Sequence, residues 1–283
     1  MRAAIHQPHY FPWLGYFDKI AKVDLFVFMD EVQLEDRSYM LRNRFLKKDG
    51  ELTYLSVTAA KKGYREKKYN EIETMDNARW QGKHLSYLRD LYSRSPYRDE
   101  ILERLEPVFT KDYTFLFDVT KDSILLCMKL LDIQTKTVDQ SALNWRRNLG
   151  GAQEQNARRS GDVLAICQAA GATEYMTGTG ASLGFLDMDA FRDAGIPVAV
   201  QSYQCPQYPQ MFSKEFVPGI SVLDMLFNCG VEESRRIFWE NVNSTHEFDA
   251  SVRGGGGIYL NIVLRAKTNV MLPDRRTGWR AAA

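Results

Sequence analysis

RAAIHQPHYFPWLGYFDKIAKVDLFVFMD, residues 2–30, is the stretch that sets the fold. Arg2 to Ile5 reads as a short strand. Tyr16 to Lys22 then carries Phe17, Ile20 and Ala21 at helical spacing, and Asp24 to Asp30 is an apolar run ending in an acid, the pattern of a buried parallel strand. Strand, helix and strand make a βαβ unit. Inside it, His6 to Gly15 crowds two imidazoles, an amide, two prolines and three aromatics into the loop that leaves the first strand. Ligands of open α/β sheets settle outside the carboxyl ends of strands, and prolines narrow the path of a loop. The loop therefore reads as a preorganised binding or catalytic element; a rigid turn carrying surface histidines is the alternative.

Working outward, Leu52 to Thr58 alternates as a strand does, after a turn at Lys48-Asp49-Gly50. Asn77 to Tyr92, Arg98 to Phe109 and Phe115 to Leu131 show helical periodicity, Ser95-Pro96 separates the first two, and Ile133 to Val138 reads as a strand. Ser141 to Arg159 has little apolar periodicity and holds Gly150-Gly151 between arginine pairs, so a mobile loop is expected, of a length used for lids or binding segments. Alternation then resumes: helix from Gly161, strand from Thr173, helix from Asp187, strand from Pro197, and helices from Ser221 and Glu232. The expected architecture is α/β, a Rossmann-like, mostly parallel sheet flanked by helices. It occupies residues 1–242 with a helical insertion at about 77–131, followed by a Gly-, Arg- and Ala-containing tail over 243–283 in which Ile258 to Leu264 is a candidate edge strand.

The chain has 37 basic and 36 acidic residues among 283, a net charge of +1, so no global field favours nucleic acid. No apolar run approaches the ~20 residues of a membrane span, and no secretory signal pattern opens the sequence. A cytoplasmic protein is expected. Cys127, Cys167, Cys205 and Cys229 lie far apart without CxxC spacing, which fits reduced thiols in a reducing compartment. A basic cluster at Lys61, Lys62, Arg65, Lys67 and Lys68 is either a solvated face or a phosphate contact.

Three further places combine polar groups with strand ends. Asp30, Glu31 and Gln33 follow the second strand and precede Arg42-Asn43-Arg44, an ion-pair cluster or an anion site. Tyr175 to Ala181 contains Thr177, Gly178 and Gly180 after a strand; glycine lets a backbone approach a ligand, although the Walker lysine is absent. Gln201 to Gln210 carries Tyr208 and Gln210 among prolines, groups that read hydroxyl- or amide-bearing ligands without charge. Cys205 has no base beside it in sequence, His84 reads equally as surface, core or site, and there is neither HExxH nor GxSxG. No metal ligand set is assigned.

Taken together, His6 to Gly15, Asp24 to Asp30, Asn43-Arg44, Tyr175 to Ala181, the Pro206/Tyr208/Gln210 set and Ser221 to Gly230 resemble the WbqC-like protein family over roughly residues 3–240. Cys205 departs from the family pattern, in which a histidine often precedes the proline. The resemblance implies a place among bacterial O-antigen, other polysaccharide or specialised-metabolite gene sets. In layout alone, the two-histidine loop is also similar to that of nucleotidyltransferases and pantothenate-synthetase-like ligases, whose loop binds ATP phosphates.

Three functions follow as expectations. The first is acyl or aminoacyl transfer, or ATP-dependent amide formation, on an amino sugar or similar acceptor. His6 and His9 would move protons, and Asn43 and Arg44 would hold the anionic donor. Gln7, Tyr10, Trp13, Asp30, Thr177, Gly178, Gly180, Tyr208 and Gln210 would complete the ligand contacts. The second is nucleotidyl or glycosyl transfer on a nucleotide sugar. The third is a non-catalytic ligand-binding protein. ATP or a nucleotide-linked substrate is the cofactor class implied, a small molecule such as a nucleotide sugar or amino acid the partner, and oligomeric state is left open.

Overall fold

The computed structural model describes residues 1–35, 38–60, 62–146, 155–244, 247–253 and 257–263. Its first strand, β1 (Arg2–His6), is followed by α1 (Leu14–Ala21) and β2 (Leu25–Phe28), and β1 pairs in parallel with β2 from Ala3↔Leu25 to His6↔Phe28. The βαβ reading of residues 2–30 is what the structure shows. An antiparallel hairpin off the main sheet, β3 (Arg42–Leu46) and β4 (Leu52–Ser56), comes next. The helical insertion is α2 (Asn77–Leu91), α3 (Arg98–Thr110) and α4 (Leu116–Leu130), and it leads to β5 (Lys136–Asp139).

Alternation returns with α5 (Gln155–Ala169), β6 (Glu174–Thr177), α6 (Met188–Asp193) and β7 (Val198–Val200), followed by α7 (Val222–Ser244). A final antiparallel pair, β8 (Glu247–Arg253) and β9 (Gly257–Val263), extends the sheet, so the order is β5-β2-β1-β6-β7-β8-β9 with the first five parallel. Besides β3, which the sequence reading did not anticipate, two segments differ from expectation. Of the loop expected over 141–159, residues 155–159 already belong to α5 and 140–142 form a 3-10 turn, while 147–154 lie outside the described residues. The expected tail begins inside α7 and contributes both strands of a hairpin rather than one edge strand.

Period-two alternation divides the sheet's two faces. Ala4, Phe26, Phe28 and Met176 pack with residues of α1, α2, α3, α4 and α7. Ala3, Ile5, Val27, Tyr175 and Val198 pack with Val163, Ile166 and Cys167 of α5 and Met188 and Phe191 of α6. Both faces are covered, which is why β2 reads as a continuous apolar run. α7 is broken at Gly230 (φ 74°, ψ 172°), where a Cβ would lie 2.6 Å from Tyr97 Cδ1. Glycine is required there on both counts.

The topology places the site. From β1 the chain runs through β2 and β5 on one side, then crosses to β6 and β7 on the other. The carboxyl ends of β1 and β6 therefore flank a switch in winding direction, the position where open sheets leave a crevice.

Candidate functional site

His6 ends β1, Gly178 follows the last residue of β6, and Gln201 follows the last residue of β7. Between them lies Lys19 of α1: a Cβ on Gly178 would sit 3.2 Å from Lys19 Nζ and 3.9 Å from Gln201 Oε1. Three loops separated by up to 195 positions in the sequence thus converge on one place. His6 and His9 meet edge to face with centroids 4.9 Å apart, and Tyr16 lies 5.0 and 5.2 Å from the two rings. Tyr39 continues the aromatic wall 5.7 Å from His9, with the Arg44 guanidinium 5.8 Å from its ring centre.

The tautomer of His6 follows from its partner. Nδ1 lies 2.8 Å from the Gln7 carbonyl, which can only accept, so Nδ1 carries the hydrogen and Nε2 keeps its lone pair. Tyr16 donates its hydroxyl to the same carbonyl at 3.0 Å. Burial, with the Lys19 charge adding to it, holds the His6 pKa well below the ordinary imidazole value and brings that of His9 to about 3. Both residues keep some solvent exposure. The His9 Nδ1 atom itself is buried and has no hydrogen-bond partner among the described residues. Both imidazoles are therefore neutral at neutral pH, and the shifts that keep them neutral also make them weak bases.

The loop beneath these rings is held under strain. Phe11 has φ 39°, a conformation that L side chains avoid and that costs on the order of 1–3 kcal/mol. Its amide donates to Ser123 Oγ at 3.0 Å, and its carbonyl accepts from Asn43 Nδ2 at 2.6 Å and Ser221 Oγ at 2.9 Å. Asn43 also donates to the Tyr10 carbonyl and accepts from the Arg44 amide, so the fully buried side chain braces the loop. Tyr10 is equally buried, with its hydroxyl 2.9 Å from His84 Nδ1. His84 is a core residue. The Trp13 indole covers Gly15, where any Cβ would fall 2.3 Å from the ring, and meets Tyr203 edge to face at 5.2 Å.

Other expected ligand contacts are engaged elsewhere. Asp30 accepts from Asn70 Nδ2 and the Ser141 amide, both at 2.9 Å, and so ties the end of β2 to the segment after β5. Thr177 is buried against Ser182 Oγ at 2.8 Å, whereas Gly180 is exposed with nothing within 4 Å of a Cβ position. Gln210 donates to the Val217 carbonyl and to Asp224 Oδ2 and accepts from the Val217 amide. Tyr208 also faces Asp224, a carboxyl buried beside the Tyr92 hydroxyl at 2.7 Å whose desolvation raises its pKa to about 6. Lys67 and Lys68 of the basic cluster pair with Glu73 and Glu31, and Lys61 lies outside the described residues. An open groove of about 540 Å³ lined by Lys48, Arg94, Phe212 and Lys214 contains none of the expected site residues. No cluster of three His, Cys, Asp or Glu side chains suited to a metal ion occurs among the described residues.

Sequence patterning missed Lys19. A lysine on a short amphipathic helix is ordinarily read as solvent-facing, but α1 is buried nearly all round, and Lys19 is only 8 % exposed. Its neighbours Asp18 and Lys22, also buried, are the signal: three charged residues within five positions at the end of an otherwise apolar helix.

The WbqC-like protein family model matches residues 7–236, a span that runs from the histidine loop through most of α7. The chain belongs to the WbqC-like protein family. An uncharacterized protein of Mycobacterium tuberculosis, Rv1507c, is 30 % identical over 233 residues, covering 82 % of this chain and 95 % of the relative. No solved structure matches. The matched span includes every expected site residue except His6, which directly precedes it. No helix among the described residues is long and apolar enough to cross a membrane.

Proposed function

We propose that this WbqC-like protein is a biosynthetic group-transfer enzyme that joins an acyl or aminoacyl group to the amine of an amino sugar or similar acceptor. The bacterial polysaccharide or specialised-metabolite setting comes from the family resemblance. The observation that carries the reading is the His6 ring: a neutral imidazole, tautomer fixed by the Gln7 carbonyl, at the carboxyl end of the central strand. Amine acceptors are ammonium ions at neutral pH and must lose a proton before they attack a carbonyl carbon. Solvent takes that proton; His6 Nε2, too weak a base for the ammonium ion, receives the much more acidic proton that the nitrogen sheds as the new C–N bond forms and the bond between acyl carbon and leaving group breaks. The leaving group departs with its electron pair, and the base returns its proton to solvent or to that group. Partly enclosed surroundings keep the imidazole unprotonated and limit competing water.

The test is incubation of the whole protein with amino acids or acyl thioesters and a panel of nucleotide-linked amino sugars, with and without ATP, followed by mass spectrometry. An acyl-mass increment on the acceptor supports the proposal, and pyrophosphate release marks the ATP-dependent route. A new phosphodiester or glycosidic product, or ligand-induced stabilisation without any product, overturns it in favour of the transferase or binding-protein readings.

A further inference from the structure

Lys19 as a residue is only 8 % exposed, and its ammonium has no hydrogen bond or ion pair among the described residues. The carboxylate next to it in sequence makes no hydrogen bond to it: Asp18 Oδ2 accepts from Lys22 Nζ at 2.9 Å and from Gln201 Nε2 at 2.6 Å, and its charge offsets the burial of Lys19 only in part. The Lys19 ammonium packs against the Gly178 backbone, where a methyl group would press to 3.2 Å from Nζ, so only glycine leaves the ammonium uncrowded. The two nearest rings, His6 and His9, are neutral and offer no compensating charge. An ammonium desolvated to this degree costs several kcal/mol unless something pairs with it. The place is the switch point of the sheet, at the carboxyl ends of β1 and β6, where open α/β sheets bind ligands.

We infer that Lys19 is the oxyanion-binding residue of this site, and that a carboxylate or phosphate oxygen of the donor docks on its ammonium, beside the Gly178 backbone. The inference deepens the proposed function by naming the donor as an anion, and it rests on that reading for the word donor alone. Burial lowers the Lys19 pKa to about 8, partly offset by Asp18, so anion binding should draw a proton onto the lysine near that pH. The titratable groups around it are Asp18 and Lys22 on its own helix, Tyr16 of the same helix, His6 on β1 and His9 in the loop; β6 and β7 present Gly178 and Gln201.

The test is isothermal titration calorimetry of the full chain with inorganic phosphate and, separately, acetate, near pH 8 in buffers of different ionisation enthalpy. Wild type is expected to bind at least one of the two with proton uptake, and the preferred anion distinguishes a phosphorylated donor from a free carboxylate. Lys19→Met should weaken binding at least tenfold and abolish the proton uptake, while Lys19→Arg should retain binding without uptake. Thermal melting without anion keeps the variants interpretable: Lys19→Met should melt no lower than wild type, because it removes a buried unpaired charge, and a lower melt would overturn the inference. Equal affinity in wild type and Lys19→Met, or no binding of either anion by wild type, overturns it too. Because no turnover is measured, failure here is separable from failure to find an acyl-transfer product.

Discussion

Acid should loosen this protein through His84, and the size of the effect follows from its surroundings. The ring is 2 % exposed, its Nδ1 lies 2.9 Å from the Tyr10 hydroxyl, and burial lowers its pKa to about 4 while a hydrogen bond to the Ser56 backbone pulls the other way. With its other nitrogen donating to that carbonyl, Nδ1 accepts from Tyr10, and protonation destroys this bond. The folded pKa lies below the unfolded value near 6.5, so the unfolded chain takes the proton first. Stability from this group is complete above about pH 6.5 and is lost as pH falls towards about 4. At ~1.4 kcal/mol per pKa unit the full loss is roughly 3 kcal/mol, of which ~1.4 kcal/mol falls between about pH 7.5 and about pH 5.5. Asp224 works in the opposite sense: its folded pKa of about 6 exceeds the unfolded 3.8, so it returns ~1 kcal/mol over the same interval. His9 adds in the direction of His84. Urea unfolding of wild type and His84→Gln at the two pH values isolates the His84 contribution, because the other groups cancel between the proteins. The stability gap should narrow by ~1.4 kcal/mol on acidification. A gap independent of pH would refute the reasoning, since it would mean that the ring ionises alike in folded and unfolded chains.

Asn43→Ala should cost ~2–4 kcal/mol in chemical denaturation, since it leaves the buried Tyr10 and Phe11 carbonyls short of their donor; a loss under ~1 kcal/mol would show that the loop is held by other means. Gly230→Ala should destabilise by ~3 kcal/mol or more, from the positive φ and the clash with Tyr97, and the check is the same titration. Burial raises the Cys127 thiol well above its usual range and the Cys167 thiol to about 12, so alkylation of the native protein should spare both and mark partly exposed Cys205 first. Peptide mapping after brief iodoacetamide treatment decides it.

Much of the architecture was legible because it is written at short range. Leu25 to Phe28 is apolar on consecutive positions, which only a strand covered on both faces tolerates, and the helices of the insertion carry clear periodicity. The hairpin strand β3 was not legible: Arg42-Asn43-Arg44 reads as a charge cluster, and its partner Leu52–Ser56 alone looks like a member of the main sheet. At the site, placement at strand ends brought His6 and Gly178 into view, and the structure sets them at the carboxyl ends of the neighbouring strands β1 and β6. Distant partners were hidden. Asn43 braces Phe11 across 32 positions, Asp30 meets Ser141 across 111, and Gln201 meets Asp18 across 183, so side chains that look available in one dimension are already engaged in three. Lys19 was hidden for the converse reason, because a helical wheel assigns lysine to water and cannot know that α1 is enclosed.

The protonation state of His6 is the centre of the functional reading, and long-range ¹H–¹⁵N correlation spectra of the histidine rings report it directly. At about pH 6 the His6 ring should give the pattern of a neutral imidazole protonated on Nδ1, with Nε2 unprotonated, and the pattern should persist on moderate acidification while the fold holds. An imidazolium pattern at about pH 6, or a neutral ring protonated on Nε2, would contradict it.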